Sequence, residues 1–360
     1  MTGLRVVPGP GGPRGPRGPE GSGGTGGQGD DQRRAAPSSG VPATVRVRAP
    51  GKVNLSLRVG AVQDDGYHPL VTVFQAVSLA EEVTLTERAA GAGILVEVTG
   101  PASDGVPTDR TNLAWQAVEL VAERAGVDPD VHVELHKGVP VGGGMAGGSA
   151  DAAAALVAAD HLLHAGLSRD ELHELAARLG SDVPFGLLGH VAVGTGRGHL
   201  LTPAMTRGEL HWALGTRARG LSTAEVYRTF DERGPGDGSS AAEREPVHVD
   251  QDAELLQALG AGDTEGVGRA LHNDLQAAAL HLAPELADVL TVAERAGTLG
   301  AIVSGSGPTV AALARSPRHA RAIGAAWTAA GVVDGVHVAS GPTHGARIVH
   351  SVASDGPPRP

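Results

Sequence analysis

Apolar and polar residues alternate along 43–50 (ATVRVRAP) and again along 51–59 (GKVNLSLRV), the period of two that marks strands with one face inward. The Pro50-Gly51 pair separates the two runs and predicts that Lys52 begins the second strand. Further strands are predicted at 71–77, 82–88, 94–99 and 131–135, with turn residues between them. Helical spacing takes over after Thr111-Asn112 and runs to Ala125, with Gly126 as its stop. An alanine-rich helix is predicted at 150–165, and Ser168-Arg169-Asp170-Glu171 has the spacing of a capping box for a helix ending at Gly180. A domain boundary is expected at 200–203. Beyond it come a strand at 211–214, a helix opening at Ser222 and an exposed polar loop at 234–244. Helices follow at 253–259, 267–271 and 284–296, then a buried strand at 301–303 that leads through a small-residue loop into another strand. Strands and helices mix without strict alternation, which predicts an α+β fold in two lobes, 44–203 and 204–345. Residues 1–43 hold too little apolar surface to offset the entropy of ordering and predict a disordered tail, and 346–360 read as a flexible end.

Between the strand predicted at 131–135 and the alanine-rich helix lies Pro140-Val141-Gly142-Gly143-Gly144-Met145-Ala146-Gly147-Gly148-Ser149-Ala150-Asp151, with five glycines in seven residues. The missing side chains let backbone N–H groups converge, and the helix start behind them adds unpaired N–H groups and the positive end of its dipole. A phosphate is the guest this chemistry selects; the alternative is a flexible glycine linker. Gly142-x-Gly144-x-x-Gly147 fits the dinucleotide fingerprint, and Gly142-x4-Gly147-Gly148-Ser149 fits a Walker loop with glycine in place of its lysine. The absent lysine argues against an ordinary Walker ATPase. His136-Lys137-Gly138-Val139-Pro140, inserted between strand and glycines, argues against the dinucleotide fold. A second conspicuous residue is Asp182, just past the Gly180 stop. Negative charge is disfavoured at a helix C-terminus, so Asp182 is held by something else, solvated, or the N-cap of a short turn at Val183.

Composition narrows the function class. A net charge of −11 and a pI near 5.8 argue against a general affinity for nucleic acid or anionic membrane. The chain has no cysteine, hence neither disulfides nor a thiolate metal site. Its 16 histidines are scattered, and the His161/His164 spacing reads as a solvated helix face rather than a metal site. No apolar run approaches the ~20 residues of a membrane helix and no signal peptide precedes the fold, so a cytoplasmic location is expected. Two lysines (Lys52, Lys137), two tyrosines (Tyr67, Tyr227) and three asparagines (Asn54, Asn112, Asn273) stand out in a chain dominated by Arg, Ala, Gly and Pro. Positions that keep lysine or tyrosine are candidates for chemistry that arginine or an aliphatic residue cannot supply.

Three separated motifs, Ala49-Pro50-Gly51-Lys52-Val53-Asn54-Leu55, the glycine stretch from Pro140 to Ala153, and Ser304-Gly305-Ser306-Gly307-Pro308-Thr309, resemble the three signatures of the GHMP small-molecule kinases. Asp65-Gly66-Tyr67-His68-Pro69-Leu70 and Leu179-Gly180-Ser181-Asp182-Val183-Pro184-Phe185 resemble the branch of that family that acts on a cytidyl-linked methylerythritol. The resemblance runs from about residue 44 to 345. It implies a ribosomal-protein-S5-like N-terminal lobe, a ferredoxin-like C-terminal lobe and a cleft between them. It also implies transfer of the γ-phosphoryl group of ATP, with Mg2+, to the 2-hydroxyl of that small molecule in non-mevalonate isoprenoid synthesis.

By position, the resemblance makes Asp182 the general base and Lys52 its neighbouring cation. It wraps Pro140, Gly142, Gly143, Gly144, Met145, Ala146, Gly147, Gly148 and Ser149 around the nucleotide phosphates, and puts Asn112 and Lys137 near the ATP base. It has Tyr67 and Tyr227 sandwich the cytosine, His68 bond its edge and Asn54 lie close to the substrate, with Ser304, Gly305, Ser306 and Gly307 supporting loop and substrate from the second lobe. It names no magnesium ligand. From the residues alone, Tyr67 and Tyr227 read equally well as core aromatics. Ala150 stands where many family members have a serine, removing one hydroxyl, and Ala146 replaces the commoner glycine. Two alternatives keep the fold: a kinase for homoserine or mevalonate, which offer no cytosine to the Gly66-Tyr67-His68 turn, and a catalytically silent paralogue, which the retained Lys52 and Asp182 argue against.

Overall fold

The structure, a computed structural model, describes residues 41–101, 103, 105–234 and 246–353. Nearly all of the tail predicted at 1–43, the polar loop at 234–244 beyond its first residue, and 354–360 lie outside them. In the first half of the chain β1 (Thr44–Val59), β2 (Leu70–Glu87) and β3 (Leu95–Thr99) precede α1 (Leu113–Ala125) and β4 (Val131–His136). Then come α2 (Gly147–Leu162), α3 (Arg169–Leu179), α4 (Val183–Leu188), β5 (Val191–Thr195) and β6 (Leu200–Pro203). The second half holds β7 (Leu210–Thr216), α5 (Thr223–Arg233), α6 (Ala253–Ala261), α7 (Thr264–Arg269), β8 (His272–Asn273), α8 (Gln276–Leu282) and α9 (Leu286–Arg295). It ends with β9 (Gly300–Val303), β10 (Val310–Ala314), α10 (Pro317–Ala330), β11 (Gly335–Gly341) and β12 (Arg347–Val352). Among the described residues no helix is long and apolar enough to cross a membrane.

β1 and β2 each fuse two of the predicted short strands. Pro50 cannot donate to the ladder, yet it does not end β1, because a bulge absorbs it: the pairing steps from Pro50↔Ala80 to Lys52↔Ala76. Lys52 is therefore mid-strand rather than at a strand start, and its backbone N–H is diverted 3.1 Å to the Met145 carbonyl. One end of β2 pairs with β4 and the other with β5, so the order β12-β1-β2-β4-β3 carries β5 and β6 as a branch and β8 as a short parallel addition to β1. α2 packs across β1 and β2 and is buried nearly all round, from Ala150 through Leu156 to Ala159. Its alanines are what allow a helix so deep in the core, since small side chains fit between sheet and α1 without a polar face.

The second sheet is antiparallel with order β11-β7-β10-β9, and the chain visits it as strand, helices, strand, strand, helix, strand, the ferredoxin-like pattern that the sequence motifs implied. Trp327 of α10 is buried on one face and donates to the Val289 carbonyl at 2.8 Å. Trp212 of β7 points the other way and donates to Gln75 Oε1 of β2 at 2.7 Å, so the two sheets share a core. α8, α10 and β11 lie where no element was predicted, although α10 carries ordinary signals: Ser316 accepts from the His319 N–H, Pro317 is in the first turn and Gly331 is left-handed at φ 65°. The flexible end predicted at 346–360 is corrected for 347–352, which pairs with β1 as an edge strand. All six of its side chains are exposed, so no burial period marked it.

Candidate active site

A cleft of about 1450 Å³ runs between the loop before α2, the bulged part of β1, the 65–68 turn, α5 and the 304–307 loop. One small ligand commonly occupies roughly 300–1,000 Å³, so this space suits two bound side by side. Of the residues expected from the sequence, Pro140, Gly142, Gly143, Gly144, Ala146, Gly147 and Gly148 line it, as do Lys52, Asn54, Asp182, Tyr67, His68 and Tyr227, with Gly305, Ser306 and Gly307. Met145, Ser149, Ser304, Asn112 and Lys137 do not.

The loop before α2 is built by close contact. Gly144 has φ 73°, and a Cβ placed on it would lie 2.1 Å from the Ser304 carbonyl, so only glycine lets the two loops meet. Gly144→Ala should lower stability by about 1–3 kcal/mol and reduce turnover, because the Gly144 carbonyl also accepts from Lys52. Urea titration and steady-state kinetics would show both, and a stable, fully active variant would contradict the contact. Ala146 occupies the N-cap position of α2 at φ 58°, a strained place for a residue with a Cβ, and offers no side-chain cap. The N–H groups of the first turn, at Gly147, Gly148 and Ser149, are thus left for a ligand. Met145 is fully buried beneath the loop, and Ser304 supports it by donating from Oγ to the Gly144 carbonyl at 3.3 Å. Ala150 is buried as well, so the hydroxyl missing at 150 would have faced the core rather than the cleft.

Lys52 Nζ is held by Asn54 Oδ1 at 2.7 Å and the Gly144 carbonyl at 2.9 Å, with Asp182 Oδ2 at 3.5 Å and the Phe74 ring centroid at 5.7 Å. Thr72 sets the amide of Asn54: its Oγ1 donates to the Ser56 carbonyl and accepts from Asn54 Nδ2 at 2.8 Å, leaving Oδ1 for the lysine. Asp182 takes the N-cap position of α4 but makes no capping bond, and its side chain is 29% exposed. Of the three readings open from sequence, Lys52 decides for the first: the carboxylate is turned to a cation across the cleft. At the far end, Tyr67 is 53% exposed with the Arg197 guanidinium stacked 3.5 Å above its ring, and Arg197 is tied to Asp65 at 2.9 Å. Tyr227 is more enclosed, and burial, seconded by the charge of Asp182, holds its hydroxyl above the usual phenol range.

Two expectations change. Lys137 is 1% exposed and lies under α2, where its ammonium contacts Asp151 Oδ2 and sits 2.6 Å from Glu81 Oε1, while Glu81 Oε2 accepts from the Gly138 N–H at 2.8 Å. Burial raises the Glu81 carboxyl and raises that of Asp151 to about 7, against the pull of the shared ammonium. Burial disfavours the charged lysine, yet the two carboxylates outweigh that and hold Lys137 above its ordinary value. Asn112 is the N-cap of α1, accepting from the Ala114 N–H at 2.8 Å. Both residues are structural here, and neither faces the cleft. Sequence reasoning assigned no role to Asn273, whose Nδ2 donates to the carbonyls of Val303 (2.7 Å) and Gly305 (2.8 Å) and so fixes the 304–307 loop. Its rarity in the composition was the available signal.

Comparison with known proteins fits this geometry. The family model for the GHMP kinases N terminal domain matches residues 112–190, and that for GHMP kinases C terminal matches 255–333. A 4-diphosphocytidyl-2-C-methyl-D-erythritol kinase of Kineococcus radiotolerans is 55% identical over 280 residues, covering 78% of this chain and 84% of the relative. The chain belongs to the GHMP kinase family. Another 4-diphosphocytidyl-2-C-methyl-D-erythritol kinase, from Nocardia farcinica, is 48% identical over 310 residues, covering 86% of this GHMP kinase and 97% of the relative. Among solved structures, a crystal structure of 4-(cytidine 5'-diphospho)-2C-methyl-D-erythritol kinase superposes with a TM-score of 0.65 at 33% identity, covering 82% of this chain and 98% of that one. The N-terminal family match contains both the glycine-rich loop before α2 and Asp182.

Proposed function

We infer that this GHMP kinase transfers the γ-phosphoryl group of ATP to the 2-hydroxyl of 4-diphosphocytidyl-2-C-methyl-D-erythritol. The relatives support the acceptor, and one geometric observation supports the chemistry: a single ammonium, Lys52, binds the carbonyl of the phosphate loop on one side and faces the Asp182 carboxylate on the other. Donor phosphates at the loop and an acceptor hydroxyl at Asp182 meet across that cation. The hydroxyl oxygen bonds to the γ-phosphorus as the bond from phosphorus to the β,γ-bridging oxygen breaks, ADP leaves, and the hydroxyl proton passes to Asp182 Oδ2. Lys52 offsets the charge on the phosphoryl oxygens and, being fixed by Asn54 and Gly144, needs no reorganisation to do so. The loop's amides position the phosphates. The partly exposed Asp182 carboxylate fits Mg2+ brought in with the nucleotide, which it would help to hold and which would supply further charge neutralisation.

The decisive experiment is purified protein with ATP, magnesium and the cytidyl-linked substrate, followed for ADP and for phosphate on the 2-position. Turnover of homoserine or mevalonate in place of that substrate would overturn the assignment. At the aromatic end, Tyr67 lines the cleft and is 53% exposed, with the Arg197 guanidinium, which also lines the cleft, stacked on one face of its ring. Stacking on a base contributes about 1–3 kcal/mol. Tyr67→Ala should therefore raise the KM for the cytidyl substrate about tenfold or more with kcat within about threefold. An unchanged KM would remove Tyr67 from the base site.

A further inference from the structure

Residues 343–346 cross the end of α4, the helix whose N-cap is Asp182, and reach β2 at Ala76, the cross-strand partner of Lys52. The Ala76 N–H donates to the His190 carbonyl at 2.8 Å, and the Ala76 carbonyl accepts from the Thr343 N–H at 3.2 Å. The His190 N–H donates to the Thr343 carbonyl at 2.6 Å, so the three residues close a ring of backbone hydrogen bonds. At the other end of the segment, the Ala346 N–H donates to the Gly186 carbonyl of α4 at 2.8 Å. Between these ties the backbones meet too closely for side chains: a Cβ on Gly189 would strike the Gly345 amide, and one on Gly345 the Leu187 carbonyl. One side-chain contact closes the crossing. His190, held at a left-handed φ of 55°, places Nε2 3.0 Å from Nδ1 of His344, with the two rings near perpendicular at 83°. Both side chains are exposed, so protons from solvent reach them. α4 (VPFGLL), β5 (VAVGT) and 341–346 (GPTHGA) bring no other titratable side chain to the rings. On the adjoining strands Arg347 is exposed, Arg48 donates to the Ser78 carbonyl at 3.1 Å, and His211 lies across from Ser340.

We propose that segment 343–346 is a strap that positions Asp182 against Lys52, and that the bond between His190 and His344 makes its hold dependent on pH. The proposal rests on the reading that Asp182 takes up the acceptor's proton. One end of the strap is tied to the partner of Lys52 and the other to the helix of Asp182, so a short piece of chain spans both halves of a pair that stands 3.5 Å apart. Asp182 makes no capping bond, so its place is set by where α4 sits. α4 has six residues, too few to hold a position by its own hydrogen bonds. A bond between two imidazole nitrogens needs one that carries a hydrogen and one that is bare, so it survives only while at least one of the rings is neutral. In acid both rings take up protons, the bond is lost and two like charges face each other. The strap then loosens, and Asp182 leaves the geometry that transfer requires. His190 and His344 line no part of the cleft and act as positioning residues.

The test is kinetics of the full chain between about pH 5 and 8, with ATP, magnesium and whichever of the cytidyl-linked alcohol, homoserine or mevalonate it phosphorylates. His344→Ala should lower kcat about tenfold at the upper end of that range, with the KM for ATP within about threefold of wild type. Introduced into Asp182→Asn, the same change should lower the residual single-turnover rate by less than about twofold, because the strap acts through a carboxylate that is already gone. His344→Asn should keep kcat within about twofold at the upper end, since its amide can donate or accept where Nδ1 stood. It does not titrate, so at the acid end it should retain about threefold or more of the activity that wild type loses. The asparagine variant decides the question if the alanine variant does not fold. An unchanged kcat in His344→Ala, equal losses with and without the Asp182 carboxylate, or superposable pH profiles for wild type and His344→Asn overturns the proposal. The alcohol that is turned over reports on the acceptor, Asp182→Asn alone on the base, and the double variant on the strap, so a failure of one is read apart from a failure of the others.

Discussion

Asp182→Asn is expected to lower kcat by about 10²- to 10⁴-fold while the KM for ATP stays within about threefold of wild type. Asparagine keeps the shape of the side chain and, since the position is 29% exposed and caps nothing, the fold does not depend on its charge. What is lost is the proton acceptor facing Lys52 at 3.5 Å. The loop amides and the lysine remain, so the donor still binds and positioning sustains residual transfer. Steady-state kinetics with both substrates varied would separate the outcomes. Near-normal turnover would show that Asp182 is not the base, and a parallel loss of ATP binding would make it part of the nucleotide site.

Lys137→Met is expected to cost about 3–5 kcal/mol of folding stability near neutral pH, the usual penalty for leaving buried charge without its partner. Glu81 and Asp151 are both buried and share this one ammonium. Without it the carboxylates must take up protons or drag water under α2. The pH dependence has a definite sign. Burial raises Asp151 to about 7 in the folded chain, so between its unfolded value of 3.8 and that pH the native state binds more protons than the unfolded one. This contribution is favourable at low pH and is lost as pH rises toward 7, and Glu81, also raised, works in the same direction. Urea denaturation from pH 5 to 8 should therefore show the Lys137→Met penalty growing with pH, and Asp151→Asn should flatten the slope. If Lys137→Met instead keeps wild-type stability and only raises the KM for ATP, Lys137 serves the nucleotide, as the family resemblance implied.

The two lysines show how far the residues could be read unaided. Both stood out by rarity, yet one lines the cleft and faces Asp182 while the other is a buried tie between β2, the end of β4 and α2. Nothing in their local sequence separates these roles, because burial depends on what packs above them. The asparagines behave alike: Asn54 orients Lys52, Asn112 caps a helix and Asn273 pins a loop. His68 stood out through the motif at 65–70, but its approach to Asp231, about 160 residues further on, was not legible, since that contact forms only when α5 folds against the 65–68 turn.

By itself, the sequence determined the local devices: the glycine loop running into an alanine helix, the capping box at Ser168, the stop at Gly126, and the order of motifs that marks the family. These depend on backbone sterics and nearest-neighbour hydrogen bonds, which a few consecutive residues settle. Tertiary structure decided the rest. Pro50 became a bulge instead of a strand end because α2 and the second sheet cover β1 from both sides, and 347–352 became a strand because the edge of β1 was open to it. Lys52 met Asp182, and Gly144 met Ser304, across 130 and 160 residues of chain, through packing free energy that no single segment carries.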